Sequence, residues 1–360
     1  MAVHGNTNGD GVRAGGVERR AEGKGLGVDS LSLSPSPQAL SPSPLAEEVR
    51  TGLAKTPKRL SSRFFYDAEG SRIFQEIMHA PEYYLTRSEY EILDTHKSDL
   101  ARLFAAGGYE VDLIELGAGD GLKTKLLLEH LWENQVAFRY VPVDISEDAL
   151  EGLVGTLRQQ WPSMTVRPQH SDYFTALERL SGETRPHRAP TRRVVLFLGS
   201  NIGNFTTSET IHFYRSISSR LLPGDLVLTG VDLQKHPAVI HAAYNDRQGL
   251  TRAFNLNLLR RINRELDANF DLSAFDHYET YDPESGEARS YLVSQKAQQV
   301  QIRALSITVP FAYGEVIHTE ISRKFTRTQL EQLANETGFS LTNWFTDCKE
   351  YFADVIFQKQ

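Results

Sequence analysis

The chain has 360 residues, 40% of them apolar and 24% charged, and a formal charge of −7. These proportions are ordinary for a globular protein, and the negative charge excludes a nucleic-acid partner held by phosphate neutralisation. Arg19-Arg20 and Arg192-Arg193 are only isolated basic pairs. There is no run of 18 apolar residues to predict a membrane span and no basic-then-apolar start to predict a secretory signal. The one cysteine, Cys348, excludes an internal disulfide and suggests a reducing, cytoplasmic setting; it is expected as a buried small hydrophobe.

Residues 1–45 are rich in Gly, Ser and Pro, with Ser34-Pro35-Ser36-Pro37 and Ser41-Pro42-Ser43-Pro44 near their end. Such a segment buries too little apolar surface to offset its ordering entropy, so a disordered tail is expected. Helical spacing begins near 46, with Leu45, Val49 and Leu53 and then Ile73, Ile77 and Met78. Strands and helices alternate from there. Strands are predicted at Val111–Leu116, at Phe138–Ile145, around Met164–Arg167, at Val194–Leu198 and at Asp225–Val231. Helices are predicted at Leu122–Trp132, after a Ser146 cap, and from Thr206 to Leu222, where Pro223-Gly224 stops the last. The alternation describes a doubly wound parallel sheet, with ligands beyond the carboxyl ends of the strands.

The rhythm breaks at 235–310, where Ala242–Asp267 reads as helical and Ala288–Thr308 as β-type. An inserted α+β substrate-binding domain is therefore expected over 235–325. It separates a first part at 46–234, N-terminal helices plus the cofactor-binding sheet, from a return to that sheet at 326–360. There a helix, Thr326–Thr337, and strands near Ser340–Phe345 and Tyr351–Gln358 are predicted.

The cofactor signal is Leu113-Ile114-Glu115-Leu116-Gly117-Ala118-Gly119-Asp120-Gly121-Leu122-Lys123-Thr124. A strand enters a glycine turn and a helix follows, the arrangement that lets backbone approach a nucleotide-like ligand. The dinucleotide fingerprint wants a small third residue where Leu122 stands, so an NAD-dependent oxidoreductase is the weaker reading. Asp144 ends the second strand, where its carboxylate can accept ribose hydroxyls. Asp172-Tyr173-Phe174 follows the third strand with an acid and rings for an adenine. Leu198-Gly199-Ser200-Asn201-Ile202-Gly203-Asn204 offers a polar platform after the fourth. Asp144 alone would serve NAD equally, but the Asp172 segment and the platform, with Glu115 just before the turn where a dinucleotide strand is usually apolar, favour S-adenosylmethionine (SAM). No serine-hydrolase elbow or P-loop is present, and the histidines show no metal-ligand spacing, so no metal is expected.

The chain then shows a resemblance. Phe65-Tyr66-Asp67 with Gly70-Ser71, and Pro81-Glu82-Tyr83-Tyr84-Leu85-Thr86-Arg87, resemble the N-terminal signature of the histidine Nα-methyltransferases of ergothioneine biosynthesis. Leu116-Gly117-Ala118-Gly119 with Lys123-Thr124 is similar to that family's SAM loop, and Phe197–Asn204 to its substrate platform. Asp232, Tyr244-Asn245-Asp246, Phe254-Asn255 and Asn263-Arg264-Glu265-Leu266 resemble its insertion. Thr319-Glu320-Ile321-Ser322-Arg323-Lys324-Phe325 resembles its late motif. The match spans roughly 47–358.

The resemblance implies a Rossmann-like class I SAM-dependent methyltransferase that methylates the α-amine of free histidine, through three transfers to hercynine. It places Gly117, Ala118 and Lys123 at the methionine end of SAM, Asp144 at the ribose, and Asp172 and Tyr173 at the adenine. Asn204 and Tyr244 would hold the substrate carboxylate, Tyr83, Glu320 and Ser322 its imidazole, and Tyr66 would lie near the amine as a proton path. Without the resemblance, Tyr83 would read as a core aromatic, Glu320 and Ser322 as a solvated strand face and Asn204 as the close of a turn. Ser290 departs from the pattern, since the family's histidine enzymes carry methionine there, lining the pocket. A smaller polar residue would enlarge or wet the pocket and suit another aromatic amino acid such as tryptophan, whereas Glu320 favours histidine. A catalytically silent SAM-binding module is the reading from a different class. A small-molecule amino-acid substrate is expected as the partner, for a chain acting as a monomer.

Overall fold

The computed structural model describes residues 43–182 and 191–360; the expected tail falls outside them except for its last three residues. Those three already belong to ordered structure. Ser43 Oγ accepts the Ala46 N–H at 3.2 Å and Pro44 fills the first turn, where no N–H is needed, so helix α1 runs Pro44–Leu53. Strand β1 is the short Lys58–Arg59, and helix α2 is Ala68–His79, capped by Asp67, whose Oδ1 accepts the Gly70 N–H at 2.8 Å. Helix α3, Leu85–Phe104, was not anticipated. Its buried stripe includes Ser88 and Glu89 beside Ile92, Leu93, Leu100 and Phe104, so the apolar periodicity is broken by polar residues facing inward.

The doubly wound part follows as β2 (Glu110–Leu116), α4 (Thr124–Glu133), β3 (Phe138–Asp144), α5 (Glu147–Gln160), β4 (Gln169–His170), α6 (Tyr173–Gly182), β5 (Thr191–Phe197), α7 (Thr207–Ser218) and β6 (Leu226–Asp232). Ser146 caps α5 as expected, and Thr206 with Glu209 forms a full capping box on α7. The third strand is shorter and later than Met164–Arg167. Val166 makes a single bridge to Tyr140, and the ladder resumes only at Gln169, because Pro168 between them has no N–H to give.

The predicted helical run at 242–267 is two helices, α8 (Pro237–Tyr244) and α9 (Leu250–Leu266). Asp246 sits in the break and accepts the N–H groups of Leu250 and Thr251 at 2.9 and 2.8 Å. Strands β7 (Phe275–Asp282), β8 (Glu287–Ser294), β9 (Gln298–Ile302), β10 (Ile307–Phe311) and β11 (Val316–Arg323) come next. Helix α10 (Arg327–Thr337) and strands β12 (Phe339–Thr346) and β13 (Phe352–Lys359) end the chain.

Seven strands form the main sheet in the order β12-β13-β6-β5-β2-β3-β4. Strands β2 to β6 are parallel, and β13 lies antiparallel between β6 and β12. The chain winds outward from β2 to β3 and β4, then returns to β5 on the other side. The crevice between β2 and β5 is thus the topological switch point, where ligands of open α/β sheets bind.

A second sheet, β1-β11-β8-β7, and the ribbon β9–β10 make the other lobe. The division expected from sequence groups 46–79 with the main sheet. In the structure, Leu45, Val49, Leu53, Ile73 and Ile77 instead share a core with Phe254, Ile262, Phe275, Leu292 and Ile317. The first helices therefore support the inserted lobe. Cys348 is exposed rather than buried, with Sγ 3.6 Å from Glu91 Oε2. Among the described residues no helix is long and apolar enough to cross a membrane.

Candidate active site

The crevice begins at the end of β2. Gly117 has φ +79°, and its N–H, like that of Ala118, donates to Val143 O on β3, at 2.8 and 3.1 Å. A Cβ on Gly117 would come within 2.8 Å of the Tyr173 hydroxyl and 3.3 Å of Asn201 Nδ2, so only glycine leaves this cradle open. Asp144 ends β3 and reaches across the loop: Oδ2 accepts the Gly119 N–H and Oδ1 the Ser146 N–H, both at 2.9 Å. A carboxylate offers about four acceptor positions, which leaves room for a ribose.

Beneath the loop, Glu115 is buried and accepts from the hydroxyls of Thr124 and Tyr140. Burial pushes its carboxyl up to about 7 against the pull of those two hydrogen bonds. Lys123 forms an ion pair with the fully buried Glu89, whose other oxygen accepts the Gly199 N–H at 2.7 Å. Lys123 thus ties α3, the glycine loop and the start of the platform together. Glu89 carries this arrangement and was missed from sequence, because α3 itself was missed.

Asp172 and Tyr173, expected at the adenine, also have partners within the protein. Asp172 caps α6, accepting the N–H groups of Phe174 and Thr175 at 3.0 and 3.1 Å and the Thr175 hydroxyl at 2.6 Å. Tyr173 packs its ring on Phe197 with its hydroxyl over Gly117. That places the phenol between the loop and the substrate side. The open glycine position and the remaining acceptor positions of Asp144 are chemically suited to a nucleoside cofactor such as SAM.

The substrate side is an aromatic box. Tyr66 packs edge-on against Phe74 and Phe254, with both centroid separations 5.5 Å, and Tyr83 meets Phe74 at 6.2 Å and Tyr244 at 6.3 Å. Tyr244 Oη lies 2.7 Å from Ser322 Oγ, and Lys324 Nζ donates to both, at 2.7 and 2.8 Å. Lys324 is 1% exposed and pairs with Asp232 at 2.8 Å. Burial works to raise the Asp232 pKa, yet the ammonium groups of Lys324 and Lys235 outweigh it and hold the carboxyl below its usual range. Lys324, part of the late motif, thus joins the residue expected at the carboxylate to the one expected at the imidazole. Asn204 ends a 3-10 turn, Asn201–Asn204, and its amide makes no hydrogen bond to a described residue.

Glu320 reaches the box through a β-bulge. The pairing of β11 with β8 shifts between His318 and Glu320, with Thr319 the extra residue. The Thr319 hydroxyl lies 2.6 Å from Asn255 Oδ1 and 3.0 Å from Ser290 O, which pins the kink. The Glu320 side chain is half-buried and makes no hydrogen bond to a described residue. Burial pushes it up to about 7, against the pull of Lys324. Across the sheet, Glu320 is in register with Ser290 and Ser290 with Glu279. Ser290 is not an enlarged apolar gap: it is 1% exposed and donates to Glu279 Oε2 at 2.6 Å. Glu279 went unnoticed in the sequence, although period-two burial along β7 marks it as facing inward. Among the described residues no group of three His, Cys, Asp or Glu side chains could hold a metal.

Residues 45–359 match the model of a family described as histidine-specific, SAM-dependent methyltransferases. The chain is 37% identical over 303 residues to the histidine N-alpha-methyltransferase of Mycolicibacterium smegmatis, covering 84% of this chain and 91% of that one. It is 35% identical, with the same coverage, to the protein of that name from Mycobacterium tuberculosis. Ergothioneine biosynthesis protein 1 of Neurospora crassa is 30% identical over 82% of this chain, which corresponds to 32% of the longer fungal protein. With a Rossmann-like sheet, a glycine cradle at its switch point and a polar-aromatic box facing it, the chain belongs to the histidine-specific, SAM-dependent methyltransferase family.

Proposed function

We propose that this enzyme methylates the α-amine of free L-histidine, three times in succession, to give the trimethylated betaine hercynine. The carrying observation is Glu320: a half-buried carboxyl without a hydrogen-bond partner among the described residues, set in an aromatic box beside Ser322, Tyr244 and Lys324. Once a bound substrate shuts water out, leaving this acceptor unpaired costs about 1–3 kcal/mol, so an N–H of an imidazole is a fitting occupant.

SAM supplies a methyl group on a sulfonium that is already electrophilic. The protein's share is therefore alignment and an amine without its proton. Gly117, Ala118 and Asp144 would seat the cofactor, with Lys123 fixing the loop and Tyr173 closing it. The adenine would lie toward Asp172. Asn204 and the Tyr244 hydroxyl would bind the substrate carboxylate, and Lys324 makes that hydroxyl a better donor by donating to it. Glu320, Ser322 and Tyr83 would take the imidazole.

Burial, reinforced by the charge of Glu320, holds the Tyr66 phenol well above its usual pKa. It stays neutral near pH 7, so it orients the amine through a hydrogen bond and water carries the proton away. The rings of Tyr66, Phe74, Tyr83 and Phe254 offer π faces to the cation that grows as methyl groups accumulate. A cytoplasmic monomer, using a free amino acid and no metal, completes this reading.

Mass spectrometry of histidine incubated with the full chain and SAM tests it. Products heavier by one, two and then three methyl groups are expected. Preferential methylation of tryptophan, or SAM binding without turnover of any amino acid, overturns it.

A further inference from the structure

The cross-strand row Glu279–Ser290–Glu320 crosses the inner face of the second sheet, with a carboxyl at each end and the smallest side chain between them. Glu279 is 4% exposed; Ser290 satisfies Oε2, while the buried Oε1 has no hydrogen-bond partner. The groups that face it are few. His277 Nε2 is 3.9 Å from Oε2 and is itself without a partner. Glu320, Lys324 and the Tyr244 hydroxyl are the others within electrostatic reach. Burial lowers the His277 pKa to about 4, so His277 is neutral and supplies no counter-charge.

We propose that Glu279, held in place by Ser290, is a second carboxyl of the substrate pocket and that it works with Glu320 to select a side chain presenting two N–H donors or a positive charge, as imidazolium does. The proposal rests on the histidine reading above and adds the residue that enforces it.

The physical case is one of satisfaction. Two carboxyls held near each other out of water do not both ionise readily. Burial, with the charge of Glu320 acting in the same direction, pushes Glu279 up to about 8. A ring with an N–H on each of two nitrogens can supply both ends of the row. An indole has one N–H and a phenyl ring none, so each leaves at least one buried acceptor unpaired. Ser290 serves twice: its hydroxyl fixes Glu279, and its small size keeps the space between the carboxyls clear. A longer apolar residue at 290 would separate them.

The test compares histidine, its two ring-N-methylated derivatives and tryptophan as substrates for the wild type, Glu279→Ala and Glu279→Gln. The Kd for SAM reports on folding. Glu279→Ala is expected to raise the histidine KM by about 10-fold or more, as for loss of a charge-assisted hydrogen bond. Its kcat and SAM affinity should stay within about threefold of the wild type. The preference for histidine over the ring-methylated forms should shrink by a similar factor. Glu279→Gln keeps the shape and carries the test if Glu279→Ala loses SAM binding; its histidine preference is expected to fall between the other two. If a folded Glu279 variant keeps the wild-type histidine KM and preference, Glu279 is only a packing partner of Ser290 and the proposal fails. A wild type that ignores histidine overturns the functional reading and this proposal with it.

Discussion

Glu320 lies at the boundary between protein and ligand, because the hydroxyls and the ammonium beside it are bonded to one another or to other acids and not to its carboxyl. Ser322 and Tyr244 bond each other and Lys324, and Ser290 bonds Glu279. Removing the Glu320 side chain therefore breaks no internal hydrogen bond, and its loss falls on the substrate. Glu320→Ala is expected to lower kcat/KM for histidine by about 10–100-fold, with little change in Tm or in the Kd for SAM. Steady-state kinetics beside a thermal melt measures this. A variant that melts as the wild type does and methylates histidine at the wild-type rate would remove Glu320 from recognition.

At the scale of elements, the chemistry sits where regular structure is interrupted: the turn after β2, the left-handed Ser200 after β5 and the bulge in β11. Gly117→Ala tests the first. Its φ of +79° and the 2.8 Å approach of a Cβ to the Tyr173 hydroxyl both oppose a methyl group. The strain and the lost space are each worth on the order of 1 kcal/mol or more, so the Kd for SAM should rise roughly 10-fold or more. Calorimetry with SAM checks it, and an unchanged Kd would place the cofactor elsewhere. The β2 turn was legible because glycine, strand and helix signals are local. So was the alternation that sets the sheet. The bulge was not, since Thr319 gains its meaning only from Asn255 on α9 and Ser290 on β8. Helix α3 was hidden for a related reason: Glu89 looks like a surface residue until Lys123 and Gly199 close over it. Glu279 depends likewise on a row that joins the β7–β8 hairpin to β11, further along the chain.

For the molecule as a whole, two sets of buried acids respond to pH in opposite ways. Asp232 has its carboxyl held below the usual range by Lys324 and Lys235. The stability it contributes is present above its unfolded pKa, is lost only as pH falls through the lower folded value, and is constant from pH 6 to 8. Glu115, Glu320 and Glu279 are raised, to about 7, 7 and 8, with burial the main cause in each. The folded state holds these protons more tightly than the unfolded chain does. Their contribution is complete below the unfolded pKa of about 4.3 and is lost as pH rises through 7 to 8. The ligand-free protein should therefore become less stable between pH 6 and 8.5. Glu115 separates this effect from substrate recognition, since it faces Thr124, Tyr140, Lys123 and Glu89 and lies beneath the loop. Glu115→Gln removes the titration and should flatten the decline by on the order of 1–3 kcal/mol at pH 8.5 relative to pH 5, at about 1.4 kcal/mol per pKa unit. Urea midpoints of the two proteins at pH 5, 7 and 8.5 give the comparison. Parallel midpoints across that range would mean that Glu115 is already ionised in the fold, stabilised by Lys123 more than burial opposes it.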